Sequence, residues 1–154
     1  MIRMTKLTDY SIVLMSHMAA EGGGLTTASN LAHETRLSVP TVSKILKVLS
    51  REGLLVSHRG ANGGYSLARD ARDISVADVI AAMEGPIAVT ECAGIDSSEC
   101  SQESFCGVRE NWLKINEAVR NALDSISLEE MARPLVLPLG SSGQGLVRIS
   151  TTTH

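Results

Sequence analysis

Two short β-prone runs, residues 54–59 and 65–68, flank the sequence Gly60-Ala61-Asn62-Gly63-Gly64. That pattern predicts a β-hairpin, because glycine and asparagine reach the positive φ angles that a tight connection needs. Three helical segments precede it, each with its own start and stop. Thr5 predicts the cap of a first helix to about Ala20, with Leu7, Tyr10, Leu14, Met15 and Met18 on one face. Glu21-Gly22-Gly23-Gly24 ends it. A second helix is expected over about 27–34, with Ala28, Leu31 and Ala32 as its apolar positions. After the short turn Thr35-Arg36-Leu37, Ser38 caps a third helix that tolerates Pro40 in its first turn. Val42, Ile45, Leu46 and Leu49 form its buried stripe, and Gly53 ends it. Three helices and then a glycine-tipped hairpin is the order of a winged helix-turn-helix, so the expected fold is mainly α with a two-stranded wing.

Such a unit places its third helix in the major groove of double-stranded DNA. With the apolar stripe turned inward, Thr41, Ser43, Lys44, Lys47 and Arg51 fall on the remaining surface. Hydroxyls and a lysine near the helix start can bond base edges, and Lys47 and Arg51 are placed for phosphates. Arg59 precedes the wing tip, as an arginine for a narrow minor groove or a phosphate would. Ser38 at the helix cap and Gly60 at the tip complete the candidate DNA-contact set. The net charge of −3 conceals an asymmetry that favours this reading: residues 1–72 hold nine Lys/Arg against five Asp/Glu, and residues 73–154 hold five against twelve. A helix-turn-helix used only for protein contacts would not need the basic third helix.

Beyond the hairpin, Ser75 and Asp78 resemble a capping box for a helix to about Met83, broken by Gly85-Pro86. Residues 86–107 read as loop without a single Lys or Arg. Val108, Trp112, Ile115, Val119, Ala122 and Ile126 then alternate spacings of four and three, a heptad seam. One narrow seam needs another helix against it, which predicts a homodimer. Ser127 and Glu130 predict a last short helix, and the Pro, Gly, Ser and Thr after Pro134 predict a mobile tail. The expected organisation is a DNA-binding domain over 1–84, a cysteine loop over 85–107, a dimerisation helix and short terminal helix over 108–133, and a tail over 134–154.

All three cysteines, Cys92, Cys100 and Cys106, fall in or at the end of that loop, with seven and five residues between them. The spacing is wider than the Cys-x2-Cys of a zinc knuckle. It suits a loop wrapped around an iron–sulfur cluster held by thiolates, although by spacing alone three unrelated free thiols are the commoner case. Glu91, Asp96, Glu99 and Glu103 surround the thiols with negative charge, which discourages DNA contact and attracts cations. No apolar run reaches the roughly 20 residues of a membrane span, and Ser16 and His17 interrupt the only apolar stretch near the N-terminus. The expectation is a cytoplasmic protein with reduced thiols and no membrane partner. No Ser-His-Asp or Cys-His arrangement, phosphate loop or acid–base pair points to an enzyme.

Several segments resemble one family: Thr5-Lys6-Leu7-Thr8-Asp9-Tyr10, Leu37-Ser38, Leu49-Ser50-Arg51-Glu52-Gly53-Leu54, and Arg59-Gly60-Ala61-Asn62-Gly63-Gly64-Tyr65-Ser66-Leu67. They are similar to the Rrf2 family of winged-helix repressors over about residues 1–133. The Arg-Gly-x-x-Gly-Gly-Tyr wing and the three-cysteine loop ahead of a long helix are the most specific features. The resemblance implies a homodimeric transcriptional regulator whose DNA binding is controlled by an iron–sulfur cluster, with two or four irons, on Cys92, Cys100 and Cys106. The segment Cys106-Gly107-Val108-Arg109-Glu110-Asn111-Trp112 looks most like members that regulate cluster-assembly genes. Two departures stand out. The first cysteine gap is longer than in IscR-type loops, and Arg109 occupies the place of their histidine. Guanidinium stays protonated, so a histidine-like fourth ligand is absent there. Asp9 matches the acidic ligand of NsrR-type members, and the resemblance makes it the candidate fourth ligand, supplied across the dimer. The alternative is a thiol-redox or zinc-sensing regulator using the same cysteines.

Overall fold

A computed structural model describes residues 3–90 and 106–133. Among these, the elements run α1 (Lys6–Ala20), α2 (Ala28–Thr35), α3 (Val39–Arg51), β1 (Leu55–His58), β2 (Gly64–Leu67), a 3-10 turn (Ala71–Asp73), α4 (Val76–Glu84), α5 (Arg109–Asp124) and α6 (Leu128–Ala132). Cys92, Cys100 and the expected tail lie outside the described residues. The helices begin where hydroxyl side chains can satisfy their free N–H groups. Thr5, Thr27, Ser38, Ser75 and Ser127 are extended, and each side chain accepts from the N–H three residues on. Ser75 with Asp78 and Ser127 with Glu130 close full capping boxes, as the sequence predicted. α5 is the exception: it starts after Val108 with no side-chain cap.

The core is almost purely aliphatic, as a chain with 3% aromatics requires. Leu14, Met15 and Met18 of α1 meet Leu31 of α2, the Val42, Ile45, Leu46 and Leu49 stripe of α3, and Ile74 and Val79 around α4. Fully burying one such side chain contributes about 1.5–3 kcal/mol, so the stripe on α3 fixes the helix in place. Leu128 of α6 is buried in the same core. Its route back is a backbone clasp: the Val76 N–H donates to Ile126 O (2.9 Å), and the Leu128 N–H donates to Ile74 O (2.8 Å). Ser75 Oγ–H also reaches Asp124 Oδ1 at the end of α5 (3.0 Å).

The hairpin is antiparallel, with Leu55 opposite Leu67 and His58 opposite Gly64. Its root is tied to the segment before α2. The Thr26 N–H donates to Tyr65 O (2.9 Å) and the Tyr65 N–H to Thr26 O (2.7 Å). The approach is so close that a Cβ on Gly64 would run into Thr26 O, so glycine is required there. The wing therefore leaves the body at a fixed angle.

A second tie joins the start of α1 to the end of α4. Thr8 is fully buried. Its Oγ1–H donates to Glu84 Oε1 (2.6 Å), and the Thr5 N–H donates to the same oxygen (2.7 Å). These donors, Thr8 first, hold the Glu84 carboxyl below its ordinary pKa of 4.5. The sign follows directly. With the folded value below the unfolded one, the unfolded state binds more protons just below pH 4.5, so the contribution is complete above that pH and is lost as pH falls through the lowered value. We expect the melting temperature of the wild type to fall more steeply with acid in this window than that of Glu84→Gln. Parallel acid curves for the two proteins would show that this carboxylate carries no such linkage.

α5 rests on α4 along one side only. The Val89 N–H donates to Asn116 Oδ1 (2.9 Å), and Val119 and Leu123 line a groove of about 570 Å3 against Ile80, Ile87 and Val89. No residue of α5 is buried. Val108, Trp112, Leu113 and Ile115 stand 36–53% exposed. The heptad seam is thus longer than the helix: Val108 precedes it and Ile126 follows it.

Candidate nucleic-acid interface and cysteine site

α3 begins at the surface. Its Ser38 Oγ accepts from the Thr41 N–H (3.4 Å), and the two hydroxyls lie 2.7 Å apart. Each hydroxyl retains capacity for at least one more partner. Ser43 is half-buried, and Lys44, Lys47 and Arg51 are exposed. Val39 is 46% exposed in the first turn. Arg59 is exposed at the foot of the wing, where His58 Nε2 and Ser66 Oγ brace the two strands at 2.9 Å. Gly60 has φ +113°, a conformation that opens the tip and disfavours any residue with a side chain.

Ion pairing sorts the basic residues. Arg51 is held by Glu52 (2.9 Å), Arg69 by Asp78 (3.2 Å) and Arg72 by Asp70 (3.0 Å). Lys44, Lys47 and Arg59 have no carboxylate partner among the described residues. Neither has Arg36, nor Arg3 and Lys6 near the start of α1. Of the eight sequence candidates for DNA contact, Arg51 alone is engaged by a carboxylate. Arg36, which the sequence places in the turn between α2 and α3, is a further exposed cation beside the candidates. Val39 shares the helical phase of Val42, Leu46 and Leu49, yet it is exposed because it lies in the first turn, at the surface end of the helix.

Cys106 is half-buried, unpaired, and three residues ahead of α5; its carbonyl accepts from the Arg109 N–H (3.2 Å). Asp9 is exposed in the first turn of α1, where Thr5 O receives its N–H (3.1 Å). The Asp9 carboxylate has no hydrogen bond or ion pair among the described residues. No group of three or more His, Cys, Asp or Glu able to hold a metal forms among them either. What Cys106 does fit is an anion-tolerant position: the uncapped N-terminus of α5 behind it would favour the negative charge of a thiolate-held cluster. When bound, such a cluster supplies redox and oxygen sensitivity.

A three-helix unit with a glycine-rooted wing, and cations free of carboxylates on its third helix and wing, defines a winged helix-turn-helix DNA-binding regulator. The chain belongs to the Rrf2 family, whose model, described as an iron-dependent transcriptional regulator, matches residues 4–134. The regulator CymR of Bacillus subtilis is 33% identical over 124 residues, 80% of this chain and 84% of that protein. Its solved structure, described as that of the global cysteine regulator of the organism, has a TM-score of 0.66 at 31% identity, covering 86% of this chain and 97% of the other. The regulator IscR of Xenorhabdus nematophila is 30% identical over 133 residues, 86% of this chain and 80% of that protein. The structure of T. potens IscR has a TM-score of 0.63 at 30% identity, with coverages of 84% and 85%. The family is one of transcriptional regulators rather than enzymes. No helix among the described residues is long and apolar enough to cross a membrane.

Proposed function

We propose that the protein is a homodimeric repressor of iron–sulfur cluster assembly genes, and that an iron–sulfur cluster on Cys92, Cys100 and Cys106 sets its hold on double-stranded DNA. The partner's Asp9 is the proposed fourth ligand. Two copies joined through the exposed face of α5 present two α3 helices to a two-fold symmetric operator. Thr41, Ser43 and Lys44 face base edges; Lys47, Arg51 and Arg59 face phosphates, with Ser38 and Gly60 at the margins of the contact. The observation that carries the reading is the charge sorting: the cations on α3 and the wing lack carboxylates, with Arg51 as the exception, while Arg69 and Arg72 behind them are neutralised. The chain also supplies a route from sensor to reader. Cys106 leads into α5, α5 meets the Ser75 cap of α4 through Asp124 and the segment after α4 through Asn116, which accepts from the Val89 N–H, and α4 lies beside α3 in the core. Control then requires that cluster state favour one of two arrangements of the reading helices.

The likeness to CymR supports a second reading, in which the same thiols respond directly to a thiol, an oxidant or zinc.

Salt titration tests the DNA-binding core of both. Lys47→Ala and Arg59→Ala should weaken binding to every duplex and flatten its salt dependence, because each lost phosphate contact releases fewer counterions. Thr41→Ala and Ser43→Ala should instead relax choice at particular base pairs, at about 1–3 kcal/mol each. If Arg59→Ala binds like the wild type at every salt concentration, the wing does not touch DNA.

A further inference from the structure

Arg36 is the only described residue other than glycine with a positive φ. It ends α2 at φ 57°, ψ 32°, in the left-handed region. Its own N–H and that of Leu37 (3.1 Å) both turn back to Ala32 O. This is the helix stop at which glycine is the usual occupant, because a Cβ crowds the backbone there. Leu37 packs against the core and fixes the turn. An arginine that occupies a glycine position at a conformational cost is a sign of function.

Its surroundings say which function. Residues 35–51 hold four Lys/Arg and no Asp or Glu. Arg36 is exposed, lies two residues before the Ser38 cap of α3, and has no carboxylate partner among the described residues. The nearest acid along the chain before it, Glu34, is taken by His17 Nε2 at 2.8 Å. A long, planar, permanently charged side chain is thus left facing solvent at the end of the molecule where α3 begins.

We propose that Arg36 is a DNA-phosphate contact of this protein, anchoring the turn between α2 and α3 to the backbone beside the groove that α3 enters. The proposal rests on the DNA-binding reading above. It adds one phosphate contact per protomer and explains why the turn is not glycine.

The test sets stability against binding. Wild type, Arg36→Gly, Arg36→Lys and Lys47→Ala are titrated onto a fluorescent random-sequence duplex across a series of KCl concentrations, and their melting temperatures are measured without DNA. Arg36→Gly should melt roughly 2–5 °C higher, since glycine relieves the left-handed strain. It should nevertheless bind roughly 3–10-fold more weakly near 0.1 M salt, with the slope of log K against log salt reduced by about one per protomer. Arg36→Lys keeps the charge and should keep the slope. An unchanged slope in Arg36→Gly, or an equal loss of slope in Arg36→Lys, overturns the phosphate assignment. Absence of any salt-dependent binding by the wild type overturns the regulator reading itself, whereas wild-type binding that falls in Lys47→Ala but not in Arg36→Gly overturns Arg36 alone.

Discussion

Ile115→Asp is expected to yield a monomer and to cut affinity for duplex DNA by about 100-fold or more, the scale on which joining two binding units raises avidity. Ile115 is 44% exposed in the middle of α5, between Trp112 and Val119. A helix with no buried residue and four large apolar groups near its start has two stable outcomes, aggregation or a specific partner. The heptad spacing selects the partner, because it puts Trp112, Ile115 and Ala122 on one exposed stripe that a second helix can cover. Placing aspartate there removes the burial of two isoleucines and brings two carboxylates into a dry seam. Together these cost ~4 kcal/mol or more, about a thousandfold in the dimerisation constant. The helix itself should survive, because the substituted side chain faces away from α4. Light scattering gives the mass, and circular dichroism checks that the fold is kept. A variant that stays dimeric with a wild-type spectrum moves the interface off α5.

The fold was legible wherever its signals were local. Thr5, Ser38, Ser75 and Ser127 announce helix starts because a hydroxyl three residues ahead of an N–H can bond it in almost any context. The stripe at Val42, Ile45, Leu46 and Leu49 announces the inward face of α3 by period alone. The ties that fix how these pieces meet were not legible. Glu84 bonds residues 76 and 79 positions away, and its place at the negative end of α4 makes sense only because that end abuts the positive start of α1. Thr26 looks like one more loop threonine until Tyr65 arrives beside it. The clasp between Ser75 and Ser127 joins two capping boxes that the sequence predicts separately. In the candidate site, residue type revealed the cations on α3, but not that Glu52 engages Arg51 or that Arg36 stands in a left-handed turn. Those depend on rotamer and backbone angle, which composition does not carry. The thiols are readable as candidate ligands by chemistry, whereas a fourth ligand supplied by another chain would leave no periodic trace.

Cys106→Ala is expected to abolish cluster binding, while Asp9→Ala should keep a cluster that is lost faster on exposure to air. The difference follows from the donors. A thiolate is the soft ligand that iron–sulfur clusters require, and three of them leave no redundancy when one is removed. A carboxylate is harder and binds such iron more weakly, so its loss opens a position to water without dismantling the cage. Even outer-sphere partners of a metal change its affinity about 10–100-fold, and a weak direct ligand should count for at least that much in retention. Position supports the asymmetry. Cys106 lies just ahead of the uncapped start of α5, where a negatively charged cluster would meet a helix N-terminus, and Arg109 nearby cannot ligate. Asp9 is on the exposed first turn of α1, with its carboxylate free of hydrogen bonds among the described residues, so ligation would sacrifice no contact of the fold. Both variants, with Cys100→Ala beside them, are reconstituted anaerobically with iron and sulfide, and visible absorbance is followed as air is admitted. If Asp9→Ala matches the wild type in spectrum, air stability and DNA response while both cysteine variants are colourless, the fourth ligand is a different group. If the wild type itself stays colourless but loses DNA on treatment with a mild thiol oxidant, and Cys106→Ala no longer responds, the thiols act without a cluster and the second reading replaces the first.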